Sequence, residues 1–227
     1  MKKFVTYTLL FVLLAAVNPS VAQPLVQITH ESYDSYYDLS AFNPAVVVWY
    51  LDFEDFKGNL KPTTRRFKTD TKLPHPRVKD SDLKGTGYVR GHLCPAGDRD
   101  TRKDLLKETY LTSNMTPMTM VCNSGPWKMV EDTCRVLAKR HGKIKVAAGT
   151  IFLDDSLGVE FLGRIKVPAA FFRIARCVSH PEHQWIWIVQ NSKSSSSPVR
   201  VSTSTLQQVL HNRLSVTSVL KIENIIE

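Results

Sequence analysis

The sequence predicts an α+β domain with a mixed, mainly antiparallel sheet, and three observations support this class. The chain has 227 residues, of which 43% are hydrophobic and 22% are charged, so it is long and apolar enough to bury one core. Several apolar and β-branched runs have the length of strands. These runs surround one long helical pattern, which favours an α+β domain.

Apolar and β-branched runs define the predicted strands. Val, Ile, Ala and aromatic residues dominate these segments, as expected for chain that packs on a pleated surface. The predicted strands cover residues 45–53, 84–93, 110–114, 143–150, 169–178 and 184–190.

Two segments have the pattern of helices. The clearest helix covers residues 123–141, and a second covers residues 204–212. Residues 57–82 are rich in proline and charge with weak periodicity, so they are predicted to be mostly loop. The serine run at residues 194–197 is predicted to be a surface loop between elements.

The first 22 residues have the layout of a secretory signal peptide. Lys2 and Lys3 precede an apolar run over residues 4–17, and the small-residue pattern ends at Ala22. A membrane anchor is the alternative, but the run falls short of the roughly 20 residues that a span needs. We therefore expect a single mature domain over residues 23–227, secreted or periplasmic, without stable membrane association. The sequence does not specify its oligomeric state.

The net charge points to an anionic partner. The formal charge of +9 becomes +7 when the leader, with its two lysines and no acid, is removed. A basic exported protein attracts nucleic acids, anionic lipids or acidic glycans, and charge alone does not choose between them.

The four cysteines lie at positions 94, 122, 134 and 177, all in the mature part. Export would permit disulfides, and four cysteines allow three pairings. No CxxC pair is present, which argues against a structural zinc site. The sequence is consistent both with disulfides and with buried free thiols.

The segment GTGYVRGHLCPAGDRD, residues 85–100, is the most informative part of the chain. Arg90 and His92 are two apart, so on an extended strand they point to the same side. An arginine fork that holds phosphate, beside a neutral imidazole that takes a proton from water, gives this pair a chemical purpose.

A second motif follows about thirty residues later. Asn123, Trp127, Glu131 and Arg135 recur every four residues, which places them along one stripe of the predicted helix. Asn123 could bind a hard cation, with Glu131 holding its waters. The alternatives are helix capping by Asn123 and a solvated ion pair between Glu131 and Arg135.

These motifs resemble the DNA/RNA non-specific endonucleases, secreted nucleases whose active site is a ββα-metal element, also called a His-Me finger. The resemblance covers residues 45–191. It rests on Arg65 or Arg66 followed by Phe67, and on the blocks GTGYVRGHLCPAGDR, YLTSNMTPM, CNSGPWKMVED, VAAGTIF, IKVPAAFFRIA and IWIVQN.

The resemblance implies an endonuclease that hydrolyses DNA and RNA with little sequence specificity. It implies that His92 is the general base, that Asn123 is the side chain bound directly to the metal, and that Glu131 orients metal-bound waters. Mg²⁺ is the expected cofactor, and Mn²⁺ is expected to substitute for it.

The same resemblance assigns the remaining site residues. Arg90 is expected to contact the phosphate and its developing charge. Arg135 and one of Arg65 and Arg66 are expected to assist in the same pocket. Asn114 joins the substrate-binding group by supporting the site through the backbone of the finger.

The sequence departs from the family pattern at two positions. The family signature is Asp-Arg-Gly-His, and its first position here is Val89; the Gln that usually follows the Ser-Asn-x-Ser/Thr-Pro stretch is here Met118. Both changes remove polar groups near the metal. One alternative is therefore a weakened or inactive member that binds nucleic acid without efficient cleavage. Another, from charge alone, is a basic protein that binds glycan or membrane.

Overall fold

The computed structural model describes residues 25–62, 66–153, 160–194 and 196–211. The predicted leader, Arg65 and Asn212 lie outside the described residues. Among the residues that are described, no helix is long and apolar enough to cross a membrane.

The main sheet of the described chain has seven strands: β1 Val26–Thr29, β2 Asp34–Asp38, β3 Asn43–Leu51, β6 Ile144–Ile151, β9 Ala170–Cys177, β10 Gln184–Gln190 and β11 Val199–Arg200. They lie side by side in the order β1-β2-β3-β6-β9-β10-β11. Each neighbouring pair in this sheet is antiparallel. The α+β class and the mainly antiparallel sheet are thus confirmed; a parallel contact occurs in the described chain as an isolated bridge between Lys68 and Leu111.

Two smaller hairpins and five helices complete the described chain. Short 3-10 turns cover Asp80–Leu83, Ala96–Asp98 and Thr112–Asn114. The hairpins are β4 Val89–His92 with β5 Met115–Met118, and β7 Phe161–Leu162 with β8 Ile165–Lys166. The helices are α1 Phe53–Phe56, α2 Lys103–Glu108, α3 Met120–Ser124, α4 Pro126–His141 and α5 Thr203–His211.

Helices cover both faces of the central strands, which is why those strands are apolar almost without alternation. On one face Trp127, Val130 and Leu137 of α4 join the buried cluster of the sheet. On the other, Leu206 and Leu210 of α5 are buried one helical turn apart. Burial of each leucine contributes about 1.5–3 kcal/mol.

Four predicted elements agree with the structure within two residues: β3, β6, β9 and β10. The second predicted helix agrees with α5, and the described part of the loop predicted over residues 57–82 contains one short 3-10 turn. Sequence reasoning missed the β1–β2 hairpin and the short helix α2, whose polar residues weaken both periodic patterns.

Two predicted strands are wrong in extent. Of residues 84–93, only Val89–His92 form a strand, because Gly85 and Gly87 adopt positive φ angles of 76° and 84° and turn the chain. Residues 110–114 were predicted as a strand, but Thr112–Asn114 form a 3-10 turn and the strand begins at Met115. Side-chain hydrogen bonds from this turn to backbone stabilise it.

The single helix predicted over residues 123–141 is also wrong at its start. Helix α3 ends at Ser124, Gly125 has non-helical angles (φ −111°, ψ −104°), and α4 begins at Pro126. Proline lacks the N–H that would continue α3 but suits the first position of a new helix. Asn123 and Glu131 therefore lie on different helices.

All four cysteines are buried free thiols. Of the two alternatives left open by the sequence, the free-thiol one is confirmed.

Candidate active site

The β4–β5 hairpin and the helices that follow it form a ββα element. Val89 pairs with Met118 and His92 pairs with Met115 in an antiparallel ladder. Gly91 is required at this point, because a Cβ there would lie 2.3 Å from the Cγ and Sδ atoms of Met118. The glycine of the Arg-Gly-His motif thus lets β4 pack closely against Met118, with His92 at the end of the strand.

Asn114 fixes the chain immediately after His92. Its Oδ1 accepts a hydrogen bond from the backbone N–H of Cys94 (2.7 Å), and its Nδ2 donates to the carbonyls of Cys94 (2.8 Å) and Thr109 (2.9 Å). The residue is fully buried, so both ends of its carboxamide serve the backbone. This geometry fits support of the finger and leaves no room for contact with a substrate.

The imidazole of His92 packs between aromatic rings and is uncharged at neutral pH. Its centroid lies 4.6 Å from that of Phe67 and 4.7 Å from that of Tyr110, and Trp127 Nε1 donates to the His92 carbonyl (3.0 Å). Nε2 is buried and has no hydrogen-bond partner among the described residues. Burial lowers the pKa of His92 to about 4. The neutral imidazole can therefore accept a proton.

Asn123 does not cap a helix. The N-cap of α3 is Thr119, whose Oγ1 accepts from the Cys122 N–H (3.1 Å), and the N-cap of α4 is Gly125. Among the described residues, no hydrogen bond engages the Asn123 carboxamide. The capping alternative is wrong, and the carboxamide oxygen is available to a ligand.

One cavity of about 330 Å³ brings four of the predicted site residues together. His92, Asn123, Glu131 and Arg135 all line it. The other lining residues are Pro95, Ala96, Gly97, Tyr110, Ser124 and Lys128. We call this space the His92 cavity. A larger cavity of about 660 Å³ is lined by residues such as His75 and Arg164, but by none of the predicted site residues.

Two predicted arginines lie outside this cavity. Arg90 is ion-paired through Nε to Asp80 Oδ1 (3.1 Å) and donates from Nη2 to the Asp80 carbonyl (2.5 Å). Arg66 lines a neighbouring groove. The structure therefore does not bring Arg90 or Arg66 into the His92 cavity, and Arg65 is not described.

Glu131 and Arg135 pair with other residues and not with each other. Glu131 Oε1 lies 3.6 Å from Arg173 Nη2, whereas Arg135 Nη1 lies 2.6 Å from Asp98 Oδ1 and its Nη2 contacts Asp132. The solvated Glu131–Arg135 pair considered from the sequence is wrong. Burial raises the pKa of Glu131 to about 7, so without a cation the carboxyl binds a proton near neutral pH.

Sequence reasoning missed Arg173 and Asp98, which contact the lining residues Glu131 and Arg135. Arg173 is completely buried, donates to the Leu93 carbonyl (2.8 Å), and places its guanidinium 4.3 Å from the Trp127 ring centroid. Asp98 accepts from Trp49 Nε1 (3.1 Å). An arginine inside the otherwise apolar strand AFFRIARC was the available signal for the first of these.

The lining residues suit a hard cation that keeps most of its water. The free carboxamide of Asn123 and the carboxylate of Glu131 are oxygen ligands of the kind that Mg²⁺ prefers. Within the described ranges, no group of three or more His, Cys, Asp or Glu residues is placed to hold a metal ion.

The fold and the cavity define a class of protein. It is an α+β domain in which a ββα element sets a neutral histidine, an uncommitted carboxamide and a buried acid around one space. The chain belongs to the DNA/RNA non-specific endonuclease family, whose sequence model matches residues 14–219.

The relatives that this chain resembles are also named as nucleases. A nuclease of Nostoc sp. is 32% identical over 173 residues, which cover 72% of this chain and 61% of that protein. The mitochondrial nuclease EXOG of Xenopus laevis is 29% identical over 166 residues, or 73% of this chain and 45% of that protein. The chain thus spans about half the length of the curated relatives that it matches.

A solved structure shares the fold. The crystal structure of the EndoG/EndoGI complex matches with a TM-score of 0.72 and 24% identity, covering 84% of this chain and 85% of the other.

Proposed function

We propose that this protein is an exported, Mg²⁺-dependent endonuclease that hydrolyses phosphodiester bonds of DNA and RNA with little sequence preference. One observation carries the proposal: the neutral imidazole of His92 and the uncommitted carboxamide of Asn123 line the same 330 Å³ cavity. The family of the chain and the names of its relatives supply the substrate class.

His92 is the general base in this proposal. Its Nε2 is buried and has no hydrogen-bond partner in the described part of the chain, so Nδ1 is the ring nitrogen left to take a proton from water. Because burial holds the pKa of His92 near 4, the base is already in its proton-accepting form at neutral pH.

The cation of the site would be held by Asn123 directly and by Glu131 through water. When bound, it supplies Lewis acidity toward the phosphate and the leaving 3′ oxygen. Arg135 adds a permanent positive charge to the cavity wall, fixed in place by the buried carboxylate of Asp98. These residues are suited to stabilise charge that develops on a phosphate.

Weak sequence preference follows from what the site contacts. The formal charge of +7 that remains without the leader, and the cationic side chains around the cavity, favour contact with the phosphate backbone, which carries no sequence information. We therefore expect cleavage of many sequences, at rates that fall as salt increases. The family of the chain implies 5′-phosphate and 3′-hydroxyl products.

The deciding experiment is cleavage of plasmid DNA and of RNA with Mg²⁺, with EDTA, and with the variant His92→Ala. The variant should lose about 10²–10⁴-fold in rate. His180→Ala is the matched control, because this histidine is 64% exposed in the β9–β10 turn, and it should retain full activity. EDTA should abolish cleavage and Mg²⁺ or Mn²⁺ should restore it. Equal activity of wild type and His92→Ala would refute the role of His92.

A second candidate, a member that binds nucleic acid but cleaves poorly, is favoured by the two departures from the family pattern. Val89 and Met118 are direct partners in the β4–β5 ladder, so an apolar pair stands where two polar groups are usual. Met118 is completely buried and Val89 packs against the same cluster. Tight binding of DNA by the wild type with no Mg²⁺-dependent cleavage would support this candidate.

A further inference from the structure

A groove beside the His92 cavity is lined by basic side chains from two segments. Five of its eight lining residues are basic and none is acidic. All five basic residues are exposed. We call it the basic groove, and it is lined by Lys61, Pro62, Arg66, Lys68, Lys103, Leu106, Lys107 and Tyr110.

The lysines of the groove are not neutralised by the described part of the protein. No ion pair engages any of its four lysines within those residues. By contrast, Lys128 beside the His92 cavity is paired with Asp132 (2.7 Å). A row of uncompensated positive charge raises the local potential and attracts a polyanion.

Helix α2 separates its charges by face. Lys103 and Lys107 are four residues apart and both line the groove, as neighbours on one helix face do. Its two acids are engaged elsewhere: Asp104 pairs with Arg102, and Glu108 accepts the Ser32 N–H (2.8 Å). The helix therefore presents only cations to the groove.

Tyr110 connects the groove to the His92 cavity. It lines both spaces, and its ring meets the His92 ring edge-on at 4.7 Å. The Lys68 N–H donates to the Tyr110 carbonyl (2.8 Å), and the Thr112 N–H donates to the Lys68 carbonyl (3.0 Å). These bonds fix Lys68 at a set position beside the cavity.

We propose that the basic groove binds the sugar-phosphate backbone of the nucleotides that flank the scissile bond, and so makes cleavage efficient on long substrates. This inference rests on the proposed nuclease function. Lysines supply point charges for phosphates, and Tyr110, Leu106 and Pro62 offer an apolar floor for a sugar or base.

The test compares two double variants that each remove two positive charges. Lys103→Gln/Lys107→Gln alters the groove. Lys139→Gln/Lys143→Gln is the matched control, because these exposed lysines line neither the groove nor the cavity. The substrates are a single-stranded oligonucleotide of about 12 nucleotides, within the usual site sizes for such chains, and a nitrophenyl nucleotide diester that spans only the scissile bond.

In the groove variant, kcat/KM for the oligonucleotide should fall by about tenfold relative to kcat/KM for the diester. The loss should come from a higher KM for the oligonucleotide. For the groove variant, the slope of log KM against log salt concentration should be smaller than that of the wild type by about 1.4. This is the change expected when two phosphate contacts to a single strand are lost. The control variant should leave the ratio and the slope unchanged. Equal losses in both variants, or an equal loss on both substrates, would overturn the proposal.

Binding without cleavage separates this inference from the proposed function. In EDTA, with His92→Ala as the background, anisotropy of a labelled oligonucleotide reports affinity alone. If the wild type does not cleave but the groove variant binds about tenfold more weakly than the control variant, the nuclease proposal fails and the groove proposal stands. If cleavage is normal and the two variants bind equally, the groove proposal fails alone.

Discussion

The His92 cavity and the basic groove share Tyr110 but are built in opposite ways. In the cavity, His92 is clamped by two rings, and Glu131 and Arg135 each meet a buried partner. In the groove, the lysines are exposed and without ion pairs among the described residues. Chemistry at one phosphorus needs groups fixed in position, whereas holding a polyanion needs only a density of charge. Substitutions in the two regions should therefore differ in size and in kind.

The largest contrast should appear in stability. Arg173→Met removes the buried cation next to Glu131 and leaves the Leu93 carbonyl without its donor. We expect a loss of about 3–5 kcal/mol in the free energy of unfolding, measured in urea, because an acid is left buried without its partner. Arg173→Lys, which keeps the charge, should lose less. Lys103→Gln should change stability by less than about 0.5 kcal/mol, and a comparable loss there would remove the distinction between the two regions.

A smaller contrast is expected in the pH dependence of stability in metal-free protein. The folded pKa of His92, about 4, lies below its unfolded value of about 6.5. Between these values the unfolded chain binds a proton that the native chain does not, so this term raises stability as pH rises through the window and weakens it as pH falls. Glu131 acts oppositely, because its raised pKa lets the native state hold a proton between about 4.5 and 7.

The measurement that isolates the histidine is the difference in unfolding free energy between wild type and His92→Gln. We expect this difference to increase by about 1–3 kcal/mol from pH 4 to pH 6.5. Lys107→Gln should show no such change over the same range. If the difference in unfolding free energy between wild type and His92→Gln did not change with pH, the imidazole of His92 in the wild type would titrate normally and be open to solvent.

The third effect is expected at the apolar pair of the finger, and it is no larger than that of the histidine. Val89→Asp alone places a carboxylate against the buried side chain of Met118, so we expect a loss of about 1–3 kcal/mol in stability and no gain in rate. The double variant Val89→Asp/Met118→Gln restores two polar groups that can pair. It should lower the Mg²⁺ concentration for half-maximal cleavage by about tenfold, measured by titration of activity. No difference between the single and double variants would show that the two positions act separately.

How much of this site the sequence predicts depends on how far apart in the sequence the interacting residues lie. His92 and Asn123 could be found because each lies in a short motif with local meaning, and the buried strands because their apolar runs are local too. Arg173 and Asp98 could not be assigned partners, since their contacts to Glu131 and Arg135 depend on how β9, α4 and the turn after β4 pack together. The break between Asn123 and Glu131 was readable from Gly125 and Pro126, but the regular spacing of the stripe concealed it.

The four unlinked thiols have a practical consequence for how this chain matures. With Cys94, Cys122, Cys134 and Cys177 all buried and free, no covalent cross-link contributes to the native state. The polypeptide therefore needs neither an oxidant nor a disulfide isomerase to reach its native cysteine state. It should fold equally well in a reducing cytosol or outside it, and dithiothreitol should leave its melting temperature unchanged.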